Sequence, residues 1–246
     1  NFPEEPRAAY YQGLLASYRG DRETEITALS NAVNLIDAFP PERINSDLQM
    51  LMIGALAHIG LGSFELAYEY LERFLSINPE NPAAQRLSAL ALISLDESDR
   101  ALQTLLKLNA RFPDDEQTIL LLASAYGEEG DYRRATELLS RLENAGSGAR
   151  NSDVQLGISQ FNAGMLSESV DTLEAVAGLQ PENSAIRMPL AMAYMRMERW
   201  EEARALLETA VGAEPEEPNL RNLLTLALLN LGASDAAEAM KGEQAA

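Results

Sequence analysis

Apolar and small residues recur at a fixed interval along residues 116–215. In the first copy the recurring positions are Leu122, Ala123, Tyr126, Gly130, Tyr132, Ala135 and Leu139. The same positions in the second copy hold Leu156, Gly157, Gln160, Gly164, Leu166, Ser169 and Leu173. The third copy has Leu190, Ala191, Tyr194, Glu198, Trp200, Ala203 and Leu207. A period of about 34 residues indicates one supersecondary unit that is copied along the chain.

Within each copy the pattern predicts two antiparallel helices joined by a turn. Large apolar residues stand at helical spacing on both sides of a glycine or its substitute. Small residues, such as Ala123 on the first helix and Ala135 on the second, indicate where the two backbones approach closely. One such pair cannot cover its own apolar face, so neighbouring pairs are expected to stack into a continuous core.

The same register extends through most of the chain and predicts a single solenoid of about seven helix-turn-helix pairs. The pairs cover residues 6–47, 48–81, 82–115, 116–149, 150–183, 184–217 and 218–246, and the last is partial, with a short second helix over 234–241. The interval from the first pair to the second is longer than the others. Its additional residues, 38–47, include Pro40 and Pro41 and predict a slack loop at one edge of the array, with a contact to a partner as the alternative.

Composition and charge narrow the possible functions. The chain has no cysteine, so disulfide and thiolate chemistry are unavailable, although this leaves the compartment open. Acidic residues number 38 against 19 basic ones, and the net charge of −19 argues against nucleic acid as a partner. No run of about 18 apolar residues occurs, so we expect no membrane span, and any signal or anchor to have been removed before Asn1 or to lie outside this chain.

Candidates for chemistry are few. His58 is the only histidine, and its place on the core side of a first helix predicts a packed, hydrogen-bonded side chain. Adjacent acids such as Glu128 and Glu129 diverge on a helix surface and are typical of a solvated face. No established catalytic motif is present, and we therefore predict no enzymatic activity, no metal site and no cofactor.

The period of about 34 residues, with a small residue beside a Leu, a Tyr three positions further on, and a later Ala and Pro, resembles the tetratricopeptide repeat (TPR) signature. The resemblance covers nearly the whole chain. It implies an all-α fold, a right-handed α-α superhelix or TPR solenoid, in which the first helix of every pair lines a concave groove. The positions that face this groove in the family correspond here to Tyr10, Leu14, Tyr18, Met52, Leu56, Ile59, Leu90, Ile93, Leu120, Val154, Ile158, Phe161, Met188, Met192 and Met195.

These positions are mostly apolar and include no Lys, so the grip on a chaperone-tail carboxylate that some family members have is not expected here. Two explanations fit an apolar stripe. Tight coiling could close the groove so that facing side chains or the chain ends bury one another. Alternatively, the groove receives an apolar or amphipathic segment of a protein or peptide partner, with Met188, Met192 and Met195 as an adaptable surface.

The last pair is rich in leucine on its first helix and predicts a possible homodimer through the C-terminal end.

Residues 71–82 and 82–106 are similar to the long repeat lipoproteins that accompany bacterial exosortase and exopolysaccharide loci. The resemblance implies an envelope scaffold, favours a periplasmic location, and makes this chain an excerpt of a longer protein. Those lipoproteins are anchored through a lipidated N-terminal Cys, which this chain lacks. The alternatives are a cytoplasmic assembly adaptor, a regulatory repeat domain of a larger enzyme, and a scaffold that binds a sugar polymer.

Overall fold

A computed structural model describes residues 5–144, 150–180 and 183–233, and all regular secondary structure in these ranges is α-helical. The helices are α1 (Pro6–Tyr18), α2 (Arg22–Asp37), α3 (Pro41–Ser46), α4 (Leu48–Gly60), α5 (Phe64–Ile77), α6 (Pro82–Ser94), α7 (Ser98–Arg111), α8 (Glu116–Glu128), α9 (Tyr132–Asn144), α10 (Arg150–Asn162), α11 (Leu166–Leu179), α12 (Ser184–Arg196), α13 (Trp200–Ala213) and α14 (Pro218–Asn230). The predicted all-α solenoid class is confirmed.

Side-chain caps define where several first helices begin. Asp47 accepts a hydrogen bond from the backbone N–H of Gln49 at 2.9 Å, and Asn81 accepts one from Ala84 at 2.9 Å. Such caps satisfy backbone donors that have no partner within the helix. The repeat therefore carries its own start signals.

Left-handed turn residues recur at the same period as the apolar pattern. Positive φ values occur one period apart at Gly62, Asp96, Gly130, Gly164, Glu198 and Gly232. The first five lie in the turn between the two helices of a pair, and Gly232 follows α14. Asp96 and Glu198 adopt φ of 59° without being glycine, a conformation that costs free energy for a residue with a Cβ.

The chain divides into two compact halves, Asn1–Gly130 and Asp131–Ala246. In the N-terminal half, the helices α1, α2, α4, α5, α6, α7 and α8 pack in sequence, each against the next, and the short helix α3 packs against α4. Leu71 and Leu105, which occupy the same position in successive copies, are fully buried, as are the small residues Ala67 and Ala101 on the same second helices. The small residues let the paired helices approach, and the leucines fill the space between pairs.

The predicted slack loop over residues 38–47 is wrong. Residues Pro41–Ser46 form the short helix α3, with Pro41 at its first turn. Ile44 is buried in the core cluster that also contains Leu51 and Phe74. The two prolines suggested irregular backbone, but Pro at a helix start is favourable, and burial of Ile44 holds the segment in place.

In the C-terminal half, α9–α14 also pack in sequence. The close crossing predicted for Gly157 and Ser169 occurs: the Ser169 hydroxyl donates a 2.7 Å hydrogen bond to the Gly157 carbonyl. Leu173 and Leu207 are fully buried, and Trp200 packs half-buried against the same core. The predicted short helix over 234–241 lies outside the described residues. That the two halves belong to one continuous solenoid of seven pairs stays a prediction.

Among the described helices, none is both long and apolar enough to cross a membrane.

Candidate functional site

The N-terminal half contains an apolar cavity between two first helices, α6 and α8. Its volume is about 410 Å³. The lining residues are Ala83, Arg86, Leu87 and Leu90 from α6, and Gln117, Leu120 and Leu121 from α8. The four leucines are half-buried, so each retains a surface that a further apolar group could cover. We refer to this cavity as the α6/α8 groove.

One end of the α6/α8 groove is polar and contains an ion pair. Nη1 of Arg86 lies 2.9 Å from Oδ2 of Asp115, and the same carboxylate caps α8 by accepting a hydrogen bond from the backbone N–H of Thr118. Burial opposes ionisation of this carboxyl, but hydrogen bonds from Thr118 and the Arg86 guanidinium outweigh it and lower the pKa of Asp115. The pair is therefore charged at neutral pH and fixes α6 against α8.

Two of the predicted groove residues, Leu90 and Leu120, meet in the α6/α8 groove. Its other lining residues follow from the same helices: Ala83 and Leu87 precede Leu90 by seven and three positions, and Leu121 adjoins Leu120. Residues three, four or seven apart share one face of a helix, and this spacing is the signal that could have identified them. Ile93, in contrast, is buried beneath the surface.

On α1 and α4, the first helices of the two N-terminal pairs, the predicted groove residues differ in how far they are exposed. Met52, Leu56 and Ile59 on α4 are half-buried, and Met52 packs against the core of the N-terminal half. On α1, Tyr10 packs against the same core, whereas Leu14 and Tyr18 are exposed.

In the C-terminal half, Met188 and Met192 are 37% and 38% exposed on successive turns of α12. Ile158 is half-buried. Val154, Phe161 and Met195 are buried in the core of this half. The exposed methionines are thus the part of the predicted adaptable surface that solvent reaches.

A second cavity, of about 350 Å³, is lined by polar side chains and two leucines from α5, α6 and α7. Within it the Tyr68 hydroxyl donates to Oε1 of Glu72 at 2.7 Å and accepts from Nη2 of Arg100 at 2.8 Å. Burial, followed by the bond to Glu72, raises the pKa of Tyr68 to about 12. Tyr68, Glu72 and Arg100 therefore satisfy one another's hydrogen-bonding groups.

His58 is packed as predicted, but one of its two ring nitrogens has no hydrogen-bond partner. The side chain is buried beside the ring of Tyr70, with the ring centroids 5.5 Å apart, and Nδ1 has no hydrogen-bond partner. Burial lowers the pKa of His58, although Asp37 and Glu69 act in the opposite direction. The described residues contain no cluster of three or more metal-ligating side chains.

Paired helices, a fixed repeat period and turns at matching positions together define a helical repeat protein. Residues 58–123 and 160–227 match the family model of the tetratricopeptide repeat, and these ranges cover more than half of the chain. The chain belongs to the tetratricopeptide repeat family, whose members are generally non-catalytic scaffolds for protein interaction.

Solved structures with the same fold include a tetratricopeptide repeat protein from Parabacteroides merdae, with 18% identity over 97% of this chain and 91% of that chain, and a TM-score of 0.65. MamA from Desulfovibrio magneticus has 16% identity over 69% of this chain and 96% of its own, with a TM-score of 0.63. A thermophilic TPR protein of Thermus thermophilus has 24% identity over 74% of this chain and all of its own, with a TM-score of 0.59. These similarities concern the fold alone. No curated protein matches the chain.

Proposed function

We propose that this chain is a non-catalytic scaffold that holds an apolar or amphipathic segment of a partner protein on its first helices. The observation that supports this most directly is the α6/α8 groove, in which four half-buried leucines surround a preformed space. Each leucine-sized group that becomes fully buried contributes about 1.5–3 kcal/mol. Part of this is offset by the cost of association, so we expect moderate affinity.

The polar and charged residues at the rim of the α6/α8 groove indicate which polar groups a complementary partner segment should carry. Arg86 is already neutralised by Asp115, which leaves the Gln117 side chain as the uncharged polar group of the lining. Glu116 adds an acidic residue in the first turn of α8, and the whole chain carries a charge of −19. A segment with apolar anchors and basic flanks is therefore complementary in both shape and charge.

A single introduced thiol tests this proposal, because the chain contains no cysteine. Gln117→Cys, labelled with a photoreactive crosslinker, should attach one partner segment whose crosslinked residues are apolar by mass spectrometry. The matched control is Lys107→Cys on the exposed face of α7, which should not yield that segment. Equal labelling of the same segment from both positions would contradict the proposal.

We further propose that the scaffold works in the bacterial envelope, in exopolysaccharide export or sorting. The support is the similarity of residues 71–106 to repeat lipoproteins of those systems. Protease accessibility in spheroplasts of the native cell tests this: an envelope scaffold is digested from outside. Protection behind the inner membrane would instead favour the cytoplasmic adaptor.

Self-association through the last helices also stays a prediction; Leu226 and Leu229 of α14 are exposed.

A further inference from the structure

The second cavity, of about 350 Å³, has the first helix α6 as its floor and side chains of the second helices α5 and α7 as its walls. We refer to it as the α5/α7 cavity. Its floor contains Ser88 and Leu92, both buried. Small-molecule sites in proteins have volumes of about 300–1,000 Å³, so the α5/α7 cavity is large enough for a small ligand.

The repeat register shows why the third pair of helices leaves this space. Ser88 lies eight positions before the left-handed Asp96. The residues eight positions before the four later left-handed residues are buried leucines, namely Leu122, Leu156, Leu190 and Leu224. Serine at this position therefore lacks most of the volume that leucine supplies in those pairs.

The residue on the second helix does not replace the missing volume. Eight positions after the left-handed residue stand Tyr70 in the second pair and Thr104 in the third. In the second pair the first helix carries Gly54, and Cε1 of Tyr70 lies 2.6 Å from where a Cβ of that glycine would be. In the third pair Ser88 and Thr104 are both small, and both line the α5/α7 cavity. The sequence of this pair thus creates the cavity.

Three polar side chains of the α5/α7 cavity have unused hydrogen-bonding capacity. Within the part of the chain that the structure describes, the side chains of Ser88, Gln103 and Thr104 form no hydrogen bond. Ser88 is only 7% exposed, and buried polar groups in proteins are almost always hydrogen-bonded. Hydroxyl and carboxamide groups both donate and accept, so a ligand that satisfies all three side chains needs donors and acceptors.

The charges of the α5/α7 cavity favour a neutral ligand. Arg100 and Glu72 are the charged residues of the lining. The hydroxyl of Tyr68 donates to Glu72 and accepts from Arg100, and Arg100 also pairs with Glu97. The guanidinium is therefore balanced by carboxylates. An ion of either sign would meet both an attractive and a repulsive charge and would gain little.

A small molecule with several hydroxyl groups combines the required features. Its hydroxyl groups donate to and accept from Ser88, Gln103 and Thr104, and its C–H groups pack against Leu75 and Leu92. An apolar ligand would instead bury the polar side chains without partners, which opposes binding.

We propose that the α5/α7 cavity binds a neutral polyhydroxylated ligand, a monosaccharide unit, through the hydroxyl groups of Ser88 and Thr104 and the carboxamide of Gln103. The lining residues differ from those of the α6/α8 groove, so this site does not rest on the function proposed above.

Saturation-transfer NMR with the full chain tests this, with glucose, galactose, mannose and N-acetylglucosamine as probes. At least one should bind saturably with a Kd of roughly 1 mM, as expected for a ligand of about a dozen heavy atoms. Glucuronate and glucosamine, which carry a negative and a positive charge, should bind more weakly than that neutral sugar. Absence of saturable binding by all four neutral probes up to about 50 mM would overturn the proposal. Tighter binding of either charged sugar would also overturn it.

Two substitutions locate the binding. Ser88→Leu introduces the leucine of the later pairs and fills the floor of the cavity, so affinity should fall by at least about tenfold. The variant should still fold, because Leu156 and Thr172 form the same combination in the fifth pair. Gln103→Ala, at an exposed side chain, should weaken binding by several-fold without affecting the fold. Ser94→Leu, at the exposed end of α6, is the matched control and should bind as the wild type does. Equal affinity of the wild type and both cavity variants would overturn the proposal.

A free sugar and the terminal unit of a glycan share the chemistry that this site recognises. The monosaccharide that binds is therefore compared with a disaccharide that carries it at the non-reducing end. Tighter binding of the disaccharide, lost in Ser88→Leu, would support the proposal with a glycan end as the ligand. Weaker binding of the disaccharide would support it with a free sugar as the ligand.

Discussion

The guanidinium of Arg86 and the carboxylate of Asp115 form a 2.9 Å ion pair across 29 positions of sequence. The pair joins two successive first helices at the polar end of the α6/α8 groove. In the C-terminal half, Nη1 of Arg187 on α12 lies 2.7 Å from Oε1 of Glu214, the C-cap residue of α13. There the arginine joins a first helix to the end of the second helix of the same pair.

Replacing Asp115 should weaken the groove wall. Asp115→Ala removes the cap of α8 and leaves Arg86 without its carboxylate, so we expect a loss of about 1–2 kcal/mol in the free energy of unfolding. Urea denaturation followed by circular dichroism measures it. Asp114→Ala, at the exposed neighbouring acid, is the control and should change stability by less than about 0.5 kcal/mol. Equal effects of the two substitutions would show that the cap and the ion pair contribute nothing.

The lowered pKa of Asp115 predicts a dependence of stability on acid pH. A carboxyl with a lower pKa in the folded state stabilises above its unfolded pKa of about 3.9, and the contribution disappears as pH falls through the folded pKa. Asp115→Asn is the matched variant, since Asn also caps helices but does not titrate. The stability difference between wild type and Asp115→Asn should be largest near pH 6 and should shrink below pH 4. A difference that stays constant from pH 6 to pH 3 would rule out this contribution.

The left-handed turns predict where glycine would stabilise the chain. Glu198 holds φ at 59° and is exposed, so Glu198→Gly should stabilise by about 1 kcal/mol. Asp96→Gly should gain less, because Asp tolerates this conformation better. Gly164→Ala, at φ of 79°, should destabilise by about 1 kcal/mol. Thermal unfolding of the three variants checks the order, and a destabilised Glu198→Gly would contradict the account.

Replacement of two helical glycines by alanine should change the stability of the chain in opposite directions. A Cβ at Gly54 would lie 2.6 Å from Cε1 of Tyr70, whose hydroxyl is held by Asp37 at 3.0 Å. Gly54→Ala should therefore destabilise by about 1–3 kcal/mol. A Cβ at Gly127 meets no atom within 4 Å, and Gly127→Ala should stabilise by up to about 1 kcal/mol. Chemical denaturation of both variants measures the contrast, and a change of the same sign in both would refute the packing argument.

The period predicted much of the fold because one physical requirement recurs in every copy. Positions such as Ala67 and Leu71 must be buried for two helices to cross and for pairs to stack, so their types repeat. Helix α3 was missed because its single buried residue, Ile44, gives no periodic signal in so short a segment.

The candidate site was harder to predict than the fold. Leu90 and Ile93 are both apolar and both lie on α6, but Leu90 lines the α6/α8 groove while Ile93 is buried. The difference depends on how neighbouring helices cover each side chain, which a repeat pattern does not contain.

The affinity of an identified partner segment for groove variants tests the central claim most directly. Isothermal titration calorimetry would compare the wild type with Leu90→Ser/Leu120→Ser, which shortens two groove leucines, and with Leu106→Ser, which alters an exposed leucine on α7. The account predicts at least about tenfold weaker binding for the groove variant and unchanged binding for Leu106→Ser, with both variants folded by circular dichroism. Equal affinity for all three proteins would contradict a partner site in the α6/α8 groove.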